Sequence, residues 1–211
     1  MDTEQIATIV QAAATKAVTD YLKMCGLDSP WEVPETFLVT ESAKALAEKG
    51  ADSGLRVAVE YGIDGVGKHP TAEEFDAIPA RLQRPYAKLD LAILKSNNDE
   101  DCWKYSLDGI VEFKKHNWLN NDAALIAHMV ARKGVTHGII VSLFVGKSEK
   151  RVLTEEEKYI SALPVDALSQ GLPLCWKKLP RSQGAHEYPP ARNSNILDRY
   201  WTITCLTLAR K

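Results

Sequence analysis

Two apolar stretches carry charged residues where a strand interior ordinarily has none: Asp90 in KLDLAIL, and Glu112 with Lys114 in VEFKK. Side chains alternate along a strand, so residues two apart share a face. Asp108, Ile110, Glu112 and Lys114 therefore line one face, and Val111 and Phe113 pack on the other. An isolated carboxylate inside such a strand is costly unless it has a partner or a metal. One reading is a salt-bridge cluster at a strand end, with Lys114 paired to Glu112 or Asp90; most charged pairs do no chemistry. The other is a hard-cation site, because carboxylate oxygens suit Mg²⁺ or Mn²⁺. A bound ion polarises a phosphoryl oxygen and supplies hydroxide near neutral pH. A neighbouring ammonium then orients water or offsets charge on the phosphate in the transition state.

Other chemistries fare less well. Gly62, Gly67 and Lys68 match GxxxxGK after a predicted strand. A working phosphate loop needs Ser or Thr next and a helix start behind it. Here His69 and Pro70 follow, and proline disfavours helix in the residue before it. A loop after a strand is the better reading, and a nucleotide hydrolase would have to lose ATP binding in Lys68→Ala. GxSxG is absent, so there is no nucleophile elbow. His116, His128 and His137 lack the spacing of a metal site on one helix, His128 reads as a core residue, and His69 and His186 are loop residues. Cys25, Cys102, Cys175 and Cys205 form no CxxC pair and read as scattered buried thiols of a reducing compartment.

The elements that must hold these residues follow from periodicity. Ile6, Ile9, Val10, Ala13, Ala17, Tyr21 and Leu22 recur at helical spacing, with Gly26 as a stop. A second helix starts after Pro34 and ends at Gly50. Strands are predicted over 55–61, 86–94, 105–114 and 137–145, the second and third adjacent across a short polar connection. A helix over 121–133 has Asn121 or Asp122 as its cap and Gly134 as its stop. TEEEKYISAL opens another helix with the capping-box spacing of Thr154 and Glu157. LPRSQGAHEYPPARNSN reads as a long loop, and RYWTITCLTLARK as a closing strand. Helices and strands mixed throughout indicate an α/β sheet with helices on its faces.

An Asp on one strand, Glu-x-Lys on the next, then a helix and a further strand resembles the PD-(D/E)xK nuclease superfamily. The match rests on Asp90, Glu112 and Lys114, and it departs from the pattern in that Leu89 replaces the proline before the Asp. The resemblance implies a restriction endonuclease-like core at about 34–145, with a mixed central sheet flanked by helices. Helix 3–25 and the extension 146–211 have no matched counterpart, and the whole chain reads as one domain. It implies a metal-dependent nuclease in which Asp90 and Glu112 hold Mg²⁺ or Mn²⁺ and Lys114 serves the attacking water. The substrate implied is nucleic acid, DNA before RNA, and a homodimer cutting both strands is an expectation by analogy. Members often add a glutamate from the first core helix. Glu35 fits that spacing better than Glu41, although an acid at a helix start also satisfies the macrodipole; Glu60 is a further candidate. The alternative is a non-catalytic nucleic-acid-binding or protein-interaction module on the same fold, its acids kept as a structural ion cluster.

Composition sets outer bounds. The 211 residues carry a formal net charge of −2, so there is no overall basic field, and nucleic acid contact must be local. GKSEKR (146–151), CWKKLPR (175–181), Arg192 and Arg199 are short basic features best read as solvated surface. Trp31, Trp103 and Trp118 flank the proposed site segments; stacking on a base is one use, core packing the commoner one. An acidic N-terminus and the absence of a long apolar run predict a cytoplasmic protein without a membrane span.

Overall fold

The computed structural model describes residues 1–26, 29–62, 88–96, 105–115, 119–131, 135–163, 174–185 and 200–210. Helix α1 (Thr3–Cys25) is capped by Asp2, whose side chain accepts from the Gln5 N–H, and it stops at Gly26 in a left-handed conformation. A single 3₁₀ turn, Pro30–Glu32, leads into α2 (Glu35–Gly50) behind Pro34. Strands β1 (Leu55–Gly62), β2 (Lys88–Ser96) and β3 (Tyr105–Lys115) follow, then α3 (Leu119–Ala131), β4 (His137–Gly146) and α4 (Glu149–Ser161). Strands β5 (Leu174–Lys178), β6 (Ser182–Ala185) and β7 (Tyr200–Arg210) complete the order.

The result is an α/β fold around a mixed seven-stranded sheet. Its order is β1-β2-β3-β4-β7-β5, with β6 also paired to β7. Only the pair β3 and β4 is parallel; the other pairs are antiparallel. A parallel pair needs a crossover connection, which α3 supplies.

Alternation assigns the two faces. Leu91, Ile93, Val111, Phe113, Ile139 and Val141 pack under α1 and α2. Ala92, Ile110, Ile140 and Leu206 pack with Ala123, Ile126 and Val130 of α3 and with Tyr159 and Ile160 of α4. Gly138 lets α3 approach closely: a Cβ there would stand 2.5 Å from Ile126 Cγ2 and 2.8 Å from Val130 Cγ2. A bulge between Ile93 and Leu94 skips Asp108 in the pairing of β2 with β3. It takes Asp108 out of the regular alternation expected for the Glu112 face.

Several boundaries differ from expectation. Helix α3 starts at Leu119, so Asp122 sits in its first turn and is not its cap. Helix α4 starts at Glu149, capped by Ser148, whose hydroxyl accepts from the Arg151 N–H. Thr154 is inside that helix and spends its hydroxyl on the Lys150 carbonyl. The stretch read as one long loop contains β6, and the basic cluster 175–181 overlaps β5. The loop and short helix expected over 63–85 lie outside the described residues. No described helix is long and apolar enough to cross a membrane.

Candidate functional site

The site lies where β2 and β3 part. Their ladder ends with Leu91 opposite Val111, whereas β2 stays paired with β1 as far as Lys88. Strand β3 stays paired with β4 as far as Lys115. Beyond the last rung, Asp90 replaces a backbone acceptor: its Oδ2 accepts from the Phe113 N–H at 2.8 Å. That bond secures the mouth of the fork and fixes the Asp90 carboxylate beside β3.

Lys114 stands at the centre. Its Nζ is 3.4 Å from Asp122 Oδ2, 3.7 Å from Asp90 Oδ2 and 3.8 Å from Glu112 Oε2. A direct charge-assisted hydrogen bond is shorter, about 2.7–2.9 Å. The ammonium is thus shared by three carboxylates and docked tightly on none. Burial works against its charge, but Asp90, Asp122, Glu112 and Glu35 together hold its pKa above the ordinary lysine value. Lys114 is therefore an ammonium throughout the neutral range.

Glu112 is only 3% exposed, and its Oε1 has no hydrogen-bond partner among the described residues. Burial first, then the charge of Asp90, pushes its pKa well up, with Asp122 adding to the rise and Lys114 opposing it. A buried acceptor without a donor calls for a ligand or a proton. Glu35, at the first position of α2, is half-buried. Burial raises its pKa, Lys114 lowers it and Asp90 raises it, which places Glu35 in the same field. The first turns of α2 and α3 thus each bring one acid toward Lys114, where the helix dipole favours negative charge.

Asp90, Glu112, Lys114 and Glu35 come together. Glu41 does not: it pairs with Lys44 on the outer side of α2. Nor does Glu60, which pairs with Lys88 at the exposed edge. Asp108 belongs to another cluster, where it accepts from the Thr136 hydroxyl at 2.9 Å and faces His137 Nε2 at 3.5 Å. His128 is buried in α3, as a core residue should be. His69, His116, His186, Cys102, Trp103, Trp118, Arg192 and Arg199 lie outside the described residues, as do Gly67 and Lys68.

Sequence reasoning missed three neighbours. Asp122, expected with Asn121 as one of two candidate caps, is the closest acid to Lys114 among the described residues. Ser142 lies opposite Lys114 in the β3–β4 register, and its buried Oγ has no hydrogen-bond partner among the described residues. Tyr159 of α4 sits beside Ser142, edge-on to Phe144 at 5.0 Å between ring centroids. Burial pushes its phenol well above the ordinary value; Ser142 opposes the rise, and the charges of Asp122 and Glu35 add to it. The one signal for Asp122 was an acid in the first turn of the helix that follows Glu-x-Lys.

Two further expectations are corrected. Cys25 is exposed and Cys175 half-buried, and only Cys205 of the described thiols is buried; burial pushes its pKa up to about 12. Trp31 is 47% exposed and not a core residue. In the basic cluster 175–181, Lys178 and Arg181 are committed to the fully buried Glu156, and Lys177 pairs with Glu4. Lys147, Lys150 and Arg151 are exposed, as a solvated surface requires.

Among the described residues, no group of three or more His, Cys, Asp or Glu stands in metal-holding geometry. Mg²⁺ is commonly held by one or two carboxylates and several waters. Asp90 and Glu112 are the two carboxylates here that could serve in such a set, and Oε1 of Glu112 has no hydrogen-bond partner among the described residues. Comparisons with protein-family models, with curated proteins and with solved structures find no match to this chain.

Proposed function

We propose that this chain is a metal-dependent phosphodiester hydrolase acting on nucleic acid, DNA foremost, built on a restriction endonuclease-like core of the PD-(D/E)xK kind. One observation carries the reading. Carboxylates from adjacent strands meet at a fork around a shared ammonium, and one buried carboxylate oxygen lacks a hydrogen-bond partner among the described residues. The order of antiparallel β1, β2 and β3, crossover helix α3 and parallel β4 supports this reading.

Asp90 and Glu112 would hold Mg²⁺ or Mn²⁺, which supplies charge stabilisation and an acidified water when bound. The remaining work falls to the chain. Asp90 is oriented by the Phe113 N–H, so its carboxylate is fixed before any ligand arrives. Lys114 stays charged because of the surrounding carboxylates, so it acts as a donor to water or phosphate oxygen and not as a general base. Asp122 positions that ammonium. Glu35, in the same electrostatic field, would accept a hydrogen bond from the attacking water.

A second reading has its own support. Among the described residues the closest partner of Lys114 is Asp122, an acid outside the three-residue motif, and such a pair is satisfied without metal. That favours a non-catalytic binding module with a structural ion cluster. Cleavage of plasmid and single-stranded DNA with Mg²⁺ or Mn²⁺ separates the two. Metal-dependent cleavage that disappears in Lys114→Ala is expected. No cleavage, together with no Mn²⁺ binding by calorimetry, would overturn the hydrolase reading.

A further inference from the structure

A polar row crosses the sheet beside the fork. In the β3–β4 register Lys114 lies opposite Ser142, and in the β4–β7 register Ser142 lies opposite Thr204. Residues paired in this way share a face, here the one under α3 and α4. Thr204 gives its hydroxyl proton to Glu156, and the side chains of Ile140 and Phe144 flank Ser142 along β4 without a polar atom. Tyr159 of α4 covers this stretch, its ring edge-on to Phe144. Ser142 acts on the Tyr159 phenol, and so do the charges of Asp122 and Glu35, both acids of the fork. Ser142 is 1% exposed, and neither its Oγ nor the Tyr159 hydroxyl has a hydrogen-bond partner among the described residues. Beside them, Lys114 Nζ is 3.4 Å or more from each of its three carboxylates. Two buried hydroxyls and one ammonium are thus unspent at one place, and buried polar groups are ordinarily paired.

We propose that Ser142 and Tyr159 are positioning residues for Lys114: when a divalent cation engages Asp90 and Glu112, the ammonium donates to Ser142 Oγ, and Tyr159 orients that hydroxyl. The inference rests on the hydrolase reading above and deepens it. An ammonium has three donors and no acceptor, whereas a serine hydroxyl has two lone pairs and one proton. Ser142 can therefore accept from Lys114 while its own proton goes to the Tyr159 oxygen. A dication shared by Asp90 and Glu112 takes two of the three carboxylates from Lys114 and repels its charge. Asp122 keeps its hold from α3, and Ser142 supplies the second hold from β4. Neighbouring strands are about 4.8 Å apart, so a side-chain rotation covers the distance. Burial keeps the Tyr159 phenol neutral, so it brings no competing charge. With one donor on Asp122 and one on Ser142, the third stays aimed at water or the phosphate, which is the fixed geometry that catalysis needs.

The test compares wild type with Ser142→Ala, Tyr159→Phe and the double variant, each checked for folding by circular dichroism. Plasmid nicking with Mg²⁺ gives kcat and KM, and calorimetry gives Mg²⁺ affinity. The proton–nitrogen NMR resonance of the Lys114 ammonium, identified by its absence in Lys114→Arg, reports its hydrogen bonding. Ser142→Ala lowers kcat by about tenfold or more, the loss of one hydrogen bond to a charged group, with KM and Mg²⁺ affinity within about twofold. Tyr159→Phe lowers kcat by about 2- to 10-fold, and adds little in the Ser142→Ala background because it acts through Ser142. With Mg²⁺ the ammonium resonance is sharp in wild type and broadened by exchange with water in both single variants. Unchanged kcat in both single variants, with wild-type cleavage intact, overturns the positioning role and leaves the hydrolase reading standing. So does an ammonium resonance indifferent to Ser142→Ala, a loss that falls equally on KM or Mg²⁺ affinity, or fully additive losses in the double variant. A wild type that neither binds Mg²⁺ nor cuts overturns both readings.

Discussion

Replacing Glu112 by Gln should stabilise the metal-free protein, which is the reverse of what a structural ion pair predicts. At an effective dielectric of about 20, Lys114 at 3.8 Å attracts the carboxylate by about 4 kcal/mol. Asp90 and Asp122 crowd the same ammonium at 3.7 and 3.4 Å. The charges of Asp90 and Asp122 therefore act against the Glu112 carboxylate, Asp90 the more strongly. Desolvation adds to the penalty. Protonation caps the total: relative to an ordinary value of 4.5, a carboxylate at pH 7 need pay no more than about 3 kcal/mol before it takes up a proton. The expected gain from Gln is therefore about 1–3 kcal/mol at pH 7, or about 2–4 °C in Tm per kcal/mol for a chain of this size. The pH dependence has a fixed sign. Glu112 has a raised folded-state pKa, so its protonated form supports the fold below the ordinary carboxylate range, and that support is lost as pH rises through the raised value. The advantage of Gln is thus absent in acid and grows toward neutral pH. Urea unfolding of both proteins in chelator and in Mn²⁺ is the assay. Mn²⁺ should stabilise wild type by mass action and leave the Gln variant unmoved. A Gln variant less stable than wild type without metal, with the same response to Mn²⁺, would refute the reasoning and make Glu112 a structural member of an ion cluster.

Gly138→Ala should destabilise by about 1–3 kcal/mol and lower cleavage as well, because the added methyl pushes α3, and Asp122 with it, off β4; chemical denaturation and plasmid nicking read the two effects. Glu156→Ala should cost roughly 3–5 kcal/mol, because the carboxylate is fully buried and joins Lys178, Arg181 and the Thr204 hydroxyl; calorimetric Tm checks it, and Mn²⁺ binding should survive where the variant folds. His137, buried between Thr3 and Asp108, has its pKa lowered by burial, with the Asp108 charge opposing. The unfolded chain then binds that proton more readily, so stability falls as pH drops below the ordinary histidine value of 6.5 and levels off below the folded-state value. His137→Asn should flatten that slope in urea melts between acid and neutral pH.

How much of this was legible depended on whether a feature leaves a periodic trace. Asp90 announced itself as the one charge in an apolar run, and strand alternation put Glu112 and Lys114 on one face, where the structure has them. Asp122 left no such trace. Acids are common in first turns for dipole reasons alone, so nothing local separates a dipole partner from a residue aimed at Lys114. Ser142 is one hydroxyl in a wholly buried strand, and only the β3–β4 register reveals its neighbour. Strands β5 and β6 are too short to show alternation and are defined by pairing with β7. The start of α4 turned on two competing caps, and Ser148 prevailed over Thr154 because the helix gains another turn and seats Val152 against Gly146.

The placement of β7 bears on how the protein can be made and divided. It lies between β4 and β5, though β4 precedes it by a long stretch of chain. At about 5–20 residues per second, a ribosome exposes β4 for seconds before its partner emerges. During that interval β4, wholly buried in the finished fold and mostly apolar, offers a bare edge of the kind that captures other strands. Nascent chains should therefore need a chaperone at this stage. The same vacancy offers a handle: a synthetic peptide spanning Tyr200–Arg210, added to a fragment lacking it, would slot in by edge pairing and switch folding on from outside.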